Sequence, residues 1–412
     1  MKKYLFFIIL IFAFSCGKYP NPRAYLKTIN PDSVMKVSGT LEKDCEVEQI
    51  FVPNFPSKEK FLGTIDNVFD SLFVIKLETN DNSIIGNLDQ VLIVNDTIYI
   101  RDWTKTKNIC LFDMQGHFIN NIGKVGNGPY EYVSPTDMYV TDDAVFVFDE
   151  WQHKIIKYKH DGTPIFDKKI SFICNQIFPL PNGEFLFRGI DSQNYHLKDV
   201  LDHQFWLCDT SMIIRKIGLY RKNDEFVHFW NNNIFLRNKN EAYYYNDISD
   251  TLYFIDCYGN FLPKFYFNFP RNHSKECLRN SEKFNNEYIS LVSYGFVEDI
   301  LLYTLLENNH QIYIFENLKT KSIKVFTTWE VTKSNISRLL HFEQMKTTYK
   351  NYVVSTFPSY GILERYNYSL KDKENWWKDA PNSLYEKDMQ LVNSVSEDDN
   401  DLLVFYRLRN DL

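Results

Sequence analysis

Short segments in which apolar and polar residues alternate recur along this chain at a spacing in the forties. The two clearest copies are 96–119 (DTIYIRDWTKTKNICLFDMQGHFI) and 143–165 (DAVFVFDEWQHKIIKYKHDGTPI), and 241–262 is a third. Each copy has a strand-like run that ends near an aspartate, then a second run and a glycine turn; Gly116 and Gly162 lie 46 residues apart. Alternation by two is typical of β-strands, whereas helical repeats would show a period of about 3.6 residues.

These repeats predict an all-β fold, a β-propeller of radially arranged four-stranded sheets, because one such sheet cannot bury both its faces alone. The strands at 72–78 and 402–407 have no hairpin partner nearby in sequence, so we expect them to share one blade and close the ring. Polar segments at 274–293, 334–350 and 381–394 are compatible with short helical insertions. Six blades are expected, with five or seven as alternatives, because units begin near Val91, Met138, Gln176, Glu241, Asp299 and Lys350.

The N-terminus has the pattern of an export signal. Two lysines precede an apolar run at 4–14, which is too short to span a bilayer as a helix. The following Ser15-Cys16-Gly17 resembles the end of a bacterial lipoprotein signal, in which Cys16 becomes the lipidated N-terminus; an ordinary signal peptide with a chance cysteine is the alternative. We therefore expect a cleaved signal at 1–15, a lipidated N-terminus, linker and lead-in at 16–70, and the propeller domain at 71–412.

Composition narrows the function further. The net charge is −7, and Lys and Arg form no clusters, which excludes nucleic acid as an expected partner. Of seven cysteines, the six beyond Cys16 are far apart and form no C-x-x-C motif, so we expect mostly buried thiols and no resident metal. Neither H-E-x-x-H nor G-x-S-x-G occurs, and no catalytic residue is assigned.

The segment 122–132 (IGKVGNGPYEY) holds three glycines in six residues. Their order is the reverse of the dinucleotide fingerprint, and the segment leads into a strand rather than a helix, so phosphate binding is the weaker interpretation. We expect a connection between β-units that needs positive φ at several glycines. Glu131 and Tyr132 are expected to turn inward and fasten the loop to the next blade.

Acidic side chains recur at one position of the repeat. Asp102, Asp149 and Asp247 each follow a strand, and Trp103 and Trp151 lie beside the first two. In a propeller they would lie on one rim, where they could bind a sugar or a cation, with calcium as the metal that carboxylates would hold. The alternative is that each carboxylate accepts hydrogen bonds from backbone N–H groups of its own turn. These five residues are the candidate ligand-binding set.

Three segments resemble a known family. They are 77–102 (LETNDNSIIGNLDQVLIVNDTIYIRD), 111–132 (LFDMQGHFINNIGKVGNGPYEY) and the tail 397–409 (EDDNDLLVFYRLR). They are similar to the six-bladed β-propeller lipoproteins of Bacteroidota, which are related in architecture to NHL-repeat propellers. The sequence departs from that pattern at Tyr130, where the loop usually has glycine, and at Asp401, where the tail usually has proline.

The resemblance implies a propeller in the cell envelope and no established activity. One hypothesis is a lipid-anchored, monomeric, non-catalytic binding module for a glycan, a peptide or an envelope protein. The other is a cation-assisted hydrolase or lyase, similar to lactonases, with its site at the mouth of the central channel. We expect attachment to the outer membrane on its periplasmic face, because the segment 16–23 lacks the acidic pair that often marks surface export in this group.

Overall fold

The computed structural model describes residues 24–53, 65–189, 194–220, 236–238, 241–246, 249–269, 289–307, 310–327, 334–371, 377 and 379–412. Within these ranges the strands form six separate sheets. Each sheet runs outward from an innermost strand, and neighbouring sheets pack face to face. The architecture is a six-bladed β-propeller, which confirms the predicted fold class.

Three strands precede the first complete blade: β1 (Met35–Thr40), β2 (Glu48–Phe51) and β3 (Phe69–Ile75). Blade 1 consists of β4 (Gln90–Val94), β5 (Thr97–Arg101), β6 (Ile109–Asp113) and β7 (Phe118–Asn121). Blade 2 consists of β8 (Asp137–Val140), β9 (Val145–Asp149), β10 (Lys154–Tyr158) and β11 (Pro164–Lys169). Blade 3 consists of β12 (Cys174–Pro179), β13 (Phe185–Gly189), β14 (His203–Cys208) and β15 (Ile214–Tyr220).

Blade 4 consists of β16 (Leu236–Asn238), β17 (Glu241–Asn246), β18 (Thr251–Ile255) and β19 (Phe261–Asn268). Blade 5 consists of β20 (Ser290–Val297), β21 (Ile300–Glu307), β22 (His310–Asn317) and β23 (Ile323–Thr327). Blade 6 consists of β24 (Met345–Tyr349), β25 (Tyr352–Phe357), β26 (Leu402–Leu408) and the earlier strand β3. Short 3-10 helices lie at Ala24–Thr28, Pro31–Ser33, Ile65–Asn67 and Lys198–Val200.

The predicted unit starts are correct for the first three blades and one strand late for the others. Glu241, Asp299 and Lys350 lie at the second strands of blades 4 to 6, and the innermost strands β16, β20 and β24 precede them. The described part of β16 is three residues long, β20 begins within a segment predicted as a helical insertion, and β24 lies within another. An innermost strand pairs on one side only, so its sequence shows less of the usual alternation.

The ring closes as the sequence predicts. Strand β3, near the N-terminus, pairs antiparallel with β26, near the C-terminus, in blade 6. Phe73 lies opposite Phe405 in this ladder, and their rings stack with centroids 4.5 Å apart. The pairing joins the first and last strands of the ring and protects two sheet edges.

Strands β1 and β2 have a role that the sequence did not predict. Each adds a fifth, parallel strand to the outer edge of a blade, β1 along β15 and β2 along β19. The segment that precedes the ring therefore covers the outer edges of blades 3 and 4. An open outer strand exposes unpaired backbone groups, and these additions remove that exposure.

Helices α1 (Ser359–Lys371) and α2 (Asn382–Ser394) lie in the described residues between β25 and β26. Helix α2 confirms the insertion predicted at 381–394, with Pro381 just before its first turn and Leu384 and Val392 buried. The insertion predicted at 334–350 is wrong, since its last residues form β24. Most of the insertion predicted at 274–293, residues 274–288, lies outside the described residues, and its last residues begin β20. No helix in the described part of the chain is long and apolar enough to cross a membrane.

The glycine-rich segment 122–132 connects β7 of blade 1 to β8 of blade 2. Gly123 has a φ of 66°, and Tyr130, in the place of the family's usual glycine, has a φ of 56°. Gly126 and Gly128 do not adopt positive φ, which corrects the expectation of positive φ at several glycines. They are small instead because the Glu131 side chain lies against both of them.

Glu131 and Tyr132 turn inward as expected. The Glu131 carboxylate accepts the N–H of Gly128 at 2.8 Å and pairs with the ammonium of Lys124 at 2.8 Å. The fully buried Tyr132 hydroxyl donates to the carbonyl of Ile122 at 2.8 Å. Gln152 of blade 2 donates its side-chain amide to the Glu131 carbonyl at 3.2 Å, which fastens the loop to that blade.

Candidate functional site

A cavity follows the central channel of the propeller. Its volume is about 570 Å³, and all six innermost strands, β4, β8, β12, β16, β20 and β24, contribute to its wall. Its wall has apolar residues such as Leu92, Ile93 and Phe296 and polar ones such as Thr347 and Thr348. A concave, largely apolar space of a few hundred cubic ångströms is typical of a small-molecule site.

One mouth of the channel has polar residues at the same position of three successive blades. Gln90, Asp137 and Gln176 lie at or near the beginning of β4, β8 and β12, and all three line the channel. The side-chain oxygen Oε1 of Gln176 is buried and accepts no hydrogen bond from any described residue.

Arg101, at the end of β5, holds this mouth together. Its Nε donates to Gln90 Oε1 at 2.8 Å, and its Nη1 donates to the carbonyls of Pro135 and Thr136 at 3.0 and 2.7 Å. Gln90 in turn donates through Nε2 to the carbonyl of Met138 at 2.9 Å. Arg101 therefore ties blade 1 to the first strand of blade 2, and burial lowers the pKa of its guanidinium.

Asp137 is a buried carboxylate between blades 2 and 3. Only 8% of the residue is exposed, and Oδ2 accepts the N–H of Ile177 at 2.8 Å. Burial raises the pKa of Asp137 to about 6, while the positive charge of Arg101 opposes the rise. Asp137 can therefore hold a proton at mildly acidic pH, which most surface aspartates cannot.

Lys346 brings a second cation to the mouth. Its ammonium donates to the carbonyl of Leu88 at 3.2 Å. Burial lowers the pKa of Lys346, and the negative charges of Asp89, Asp401 and Glu343 oppose this effect. Burial raises the pKa of Asp401, and neighbouring lysines oppose the rise. The mouth therefore presents both signs of charge within a partly desolvated site.

Asp102, a predicted ligand-binding residue, lies beneath the rim rather than on it. The residue is 1% exposed, and Oδ2 accepts the N–H groups of Gly86 at 2.7 Å and Asn87 at 3.1 Å. Further bonds come from the N–H of Lys105 at 2.9 Å and from both the N–H and the hydroxyl of Thr106. This carboxylate fastens the loop that enters blade 1 to the turn after β5.

Asp149 does the same in blade 2. It is fully buried, and its Oδ2 accepts the N–H of Val133 at 2.6 Å, from the loop that enters the blade. Its Oδ1 accepts the N–H groups of Trp151 at 2.9 Å and Gln152 at 3.1 Å, from the turn after β9. The geometry at both aspartates therefore favours the turn role that the sequence left as the alternative.

The other predicted residues are arranged differently. Trp103 is half-buried, and Trp151 is 59% exposed. Asp247 lies outside the described residues. The ring of Trp151 is therefore open to a ligand, whereas Asp102 and Asp149 are not. Ligand binding by this set stays a prediction.

Metal and thiol chemistry have little support in the described part of the chain. No three His, Cys, Asp or Glu side chains within it lie close enough to hold a metal ion. Its five cysteines are free thiols: Cys110, Cys174 and Cys208 are buried, as most were expected to be, and Cys45 and Cys257 are exposed. Burial raises the pKa of all three buried thiols, which makes them unreactive.

Sequence reasoning missed the residues of the channel mouth. A signal for them exists, because Gln90 and Asp137 are 47 residues apart, the spacing of the repeat itself. A polar side chain at the start of an otherwise apolar innermost strand marks the channel mouth in both blades. Lys346 has no such signal, since its strand was not recognised.

Solved structures support the architecture. One is a protein from Bacteroides fragilis NCTC 9343 that is named only as an exported protein. It is 19% identical over 89% of this chain and 100% of its own, with a TM-score of 0.67. A DUF4221-family member from Bacteroides vulgatus ATCC 8482 is 10% identical over 83% of this chain and 97% of its own, with a TM-score of 0.40. At these identities the first likeness shows the fold alone, and the second carries no argument.

The comparison with curated proteins gives no match. A family model described as "Domain of unknown function (DUF4934)" matches residues 52–407. The matched region begins before β3 and includes all but the last residue of β26, so it contains the whole ring and its closure. The chain therefore belongs to the DUF4934 family.

Proposed function

We propose that this protein is a non-catalytic binding module of the bacterial cell envelope, and that its ligand occupies the central channel. The observation that carries the proposal is the channel itself, with about 570 Å³ of space, a wall of mixed apolar and polar side chains and a polar mouth. Gln90, Gln176 and Lys346 line the channel and bring polar side chains to its mouth. A glycan, a peptide or part of an envelope protein presents matching groups.

The charges at the mouth favour binding over cation-assisted catalysis. A catalytic cation needs several carboxylate or amide oxygens that converge without a competing positive charge. Here Arg101 faces Asp137, and Lys346 faces Asp401. The positive charges of these two residues lower the pKa of the carboxyls near them and would repel a metal ion.

Attachment to the outer membrane belongs to the same proposal. The motif around Cys16 supports lipidation, which would hold the propeller at the periplasmic face through a lipid and not a membrane-crossing segment. An anchored, monomeric propeller could present its channel to envelope components at high local concentration.

A channel-blocked variant tests the proposal. Thr347→Trp places a large ring in the channel wall, and Ile119→Trp, on the exposed face of outer strand β7, is the matched control. Both variants and the unmodified protein are screened on an oligosaccharide array and an array of ten-residue peptides. We expect binding that Thr347→Trp abolishes and Ile119→Trp preserves.

Two outcomes would contradict the proposal. Binding that survives in Thr347→Trp would place the ligand elsewhere. Calcium-dependent hydrolysis of a lactone panel that falls in Thr347→Trp, with no binding on either array, would establish a catalytic propeller instead.

A further inference from the structure

One face of blade 2 carries a row of side chains that does not suit a blade interface. Tyr139, Phe146, Lys157 and Phe166 are direct neighbours across β8, β9, β10 and β11. The row therefore places a lysine among three aromatic rings, on the face that packs towards blade 3. A lysine at such a position must keep its ammonium near water or near a partner.

The other blades show what this position normally holds. Leu111 in blade 1 and Leu207 in blade 3 correspond to Lys157; they are 1% and 2% exposed and pack in the core between blades. Phe254 corresponds to it in blade 4. The turn after each strand sets this correspondence. In all four blades the residue at this position lies two residues before the one whose carbonyl accepts the N–H of the turn; these acceptors are Asp113, Lys159, Asp209 and Asp256.

A cleft opens beside this lysine. Its volume is about 530 Å³, and Phe178, Leu180 and Phe185 of blade 3 form the facing wall. The rings of Phe146 and Phe185 are 5.8 Å apart, so the cleft has an aromatic floor. The cleft is separate from the central channel apart from a shared edge at Tyr139 and Asp142.

Two ammonium groups line the cleft. The Nζ of Lys157 lies 5.1 Å from the centroid of Phe146. The Nζ of Lys168 lies 5.1 Å from the centroid of Phe166 and donates to the carbonyl of Thr210 at 3.0 Å. Among the described residues, no carboxylate oxygen lies within ion-pair distance of either lysine. Ring contacts orient both charges without neutralising them.

Three aspartates also line the cleft: Asp142, Asp143 and Asp256. Asp142 and Asp143 lie at the exposed tip of the hairpin between β8 and β9. The Asp256 carboxylate accepts the N–H groups of Tyr258 and Asn260 within its own turn. The two lysines lie over the aromatic wall, whereas Asp142 and Asp143 lie at the solvent-exposed tip, where water and salt screen their charges.

We propose that the cleft between blades 2 and 3 binds an organic anion with a flat, apolar body, such as an aromatic carboxylate or sulfonate. The aromatic walls would bury the body, and the two ammonium groups would pair with the anionic group at the rim. A blade position that packs as leucine in blades 1 and 3 carries lysine here because the charge faces a ligand rather than a core. This site is additional to the channel and does not depend on it.

The probe for this proposal is 8-anilinonaphthalene-1-sulfonate, with the uncharged N-phenyl-1-naphthylamine for comparison. Both fluoresce when their rings enter an apolar site, and they differ in the sulfonate. We expect saturable, one-to-one binding of the sulfonate that weakens about tenfold in Lys157→Leu and less than about threefold in Lys157→Arg. The uncharged probe should change by less than about twofold in either variant.

The controls locate the site. Lys157→Leu introduces the residue that blades 1 and 3 already carry, so it should fold. Lys264→Leu removes another lysine that lies over a ring, that of Phe265 at 5.8 Å, outside the cleft. Neither Lys264→Leu nor the channel variant Thr347→Trp should weaken the sulfonate.

Three results would overturn the proposal. They are the absence of saturable sulfonate binding, an equal loss in Lys264→Leu, and an equal loss for the uncharged probe in Lys157→Leu. Since Thr347→Trp tests the channel separately, failure here leaves the proposed channel function standing, and the reverse also holds.

Discussion

Replacing Gly126 by alanine should destabilise the protein, because the new methyl group would enter space that the Glu131 side chain fills. A Cβ at Gly126 would lie 2.7 Å from Cδ of Glu131 and closer still to Oε2, and the three nearest heavy atoms all belong to that side chain. Gly126 does not adopt positive φ, so backbone strain contributes nothing. The effect is therefore purely one of close approach.

The size of the effect follows from what Glu131 must give up. Its carboxylate is the end of a flexible side chain and can rotate away, but it then loses the N–H of Gly128 and the ammonium of Lys124, each at 2.8 Å. An extra methyl group in a packed site typically costs about 1 to 3 kcal/mol. Because the obstacle can move, we expect Gly126→Ala to lower the free energy of unfolding by about 1 to 2 kcal/mol.

A double-mutant cycle isolates this contact. Unfolding by urea, followed by tryptophan fluorescence and circular dichroism, is measured for each single variant and for the pair. In the Glu131→Ala background, Gly126→Ala should cost less than about 0.5 kcal/mol, because the obstructing atoms are gone.

Gly123→Ala is the control for the cycle. Gly123 has a φ of 66°, and a Cβ there would lie 2.8 Å from Cζ of Tyr158. Its cost should therefore be the same in both backgrounds, since Glu131 is not the obstacle. An equal cost of Gly126→Ala with and without Glu131 would refute the steric assignment.

Three further predictions concern the mouth, the closure and the anchor. The pKa of Asp137 is about 6 in the folded protein against an ordinary 3.8, so the native state binds more protons than the unfolded state. The free energy of unfolding should therefore fall by up to about 3 kcal/mol as the pH rises from 4 to 6, relative to Asp137→Asn, and denaturation at each pH measures this difference. Phe405→Ala, at the fully buried ring of the closure, should cost about 3 to 5 kcal/mol in urea unfolding, and Phe73→Ala, whose ring is 37% exposed, less than half of that. Cys16→Ala should leave the membrane fraction and lose its acyl label, and its retention there would refute lipidation.

The ring was predictable because its signals are local. Alternation, glycine turns and the 46 to 47 residue offset reflect pairing between strands that follow one another in sequence within one blade. The two strands without a local partner left only one way to close the ring. Strands β1 and β2 were not predictable in this way. Their sequences, MKVSGT and EQIF, are short and mostly exposed, and their strand state depends on the edges that β15 and β19 provide.

The candidate rim residues show the limit of reading a repeat as a site. Asp102 and Asp149 recur because blades 1 and 2 both have backbone N–H groups in the entering loop and in the turn after the second strand that need acceptors. The side chains accept those N–H groups and become buried. A position that recurs in every copy is thus more readily explained by the fold than by a ligand, since a binding site needs different groups that converge.

Positions where the copies differ carry the opposite information. Gln90 and Asp137 occupy one repeat position with different charge; Arg101 donates to Gln90, and its positive charge lowers the pKa of Asp137. Leu111 and Lys157 occupy another, and the lysine lies beside a cleft. In both cases the blades share the same backbone arrangement, which fixes where the side chain lies. The structure of the blade therefore does not require the change of residue. A repeat protein can alter such positions singly without losing its ring, because each blade contacts only its neighbours. Function in this propeller is therefore best sought at these departures from the repeat.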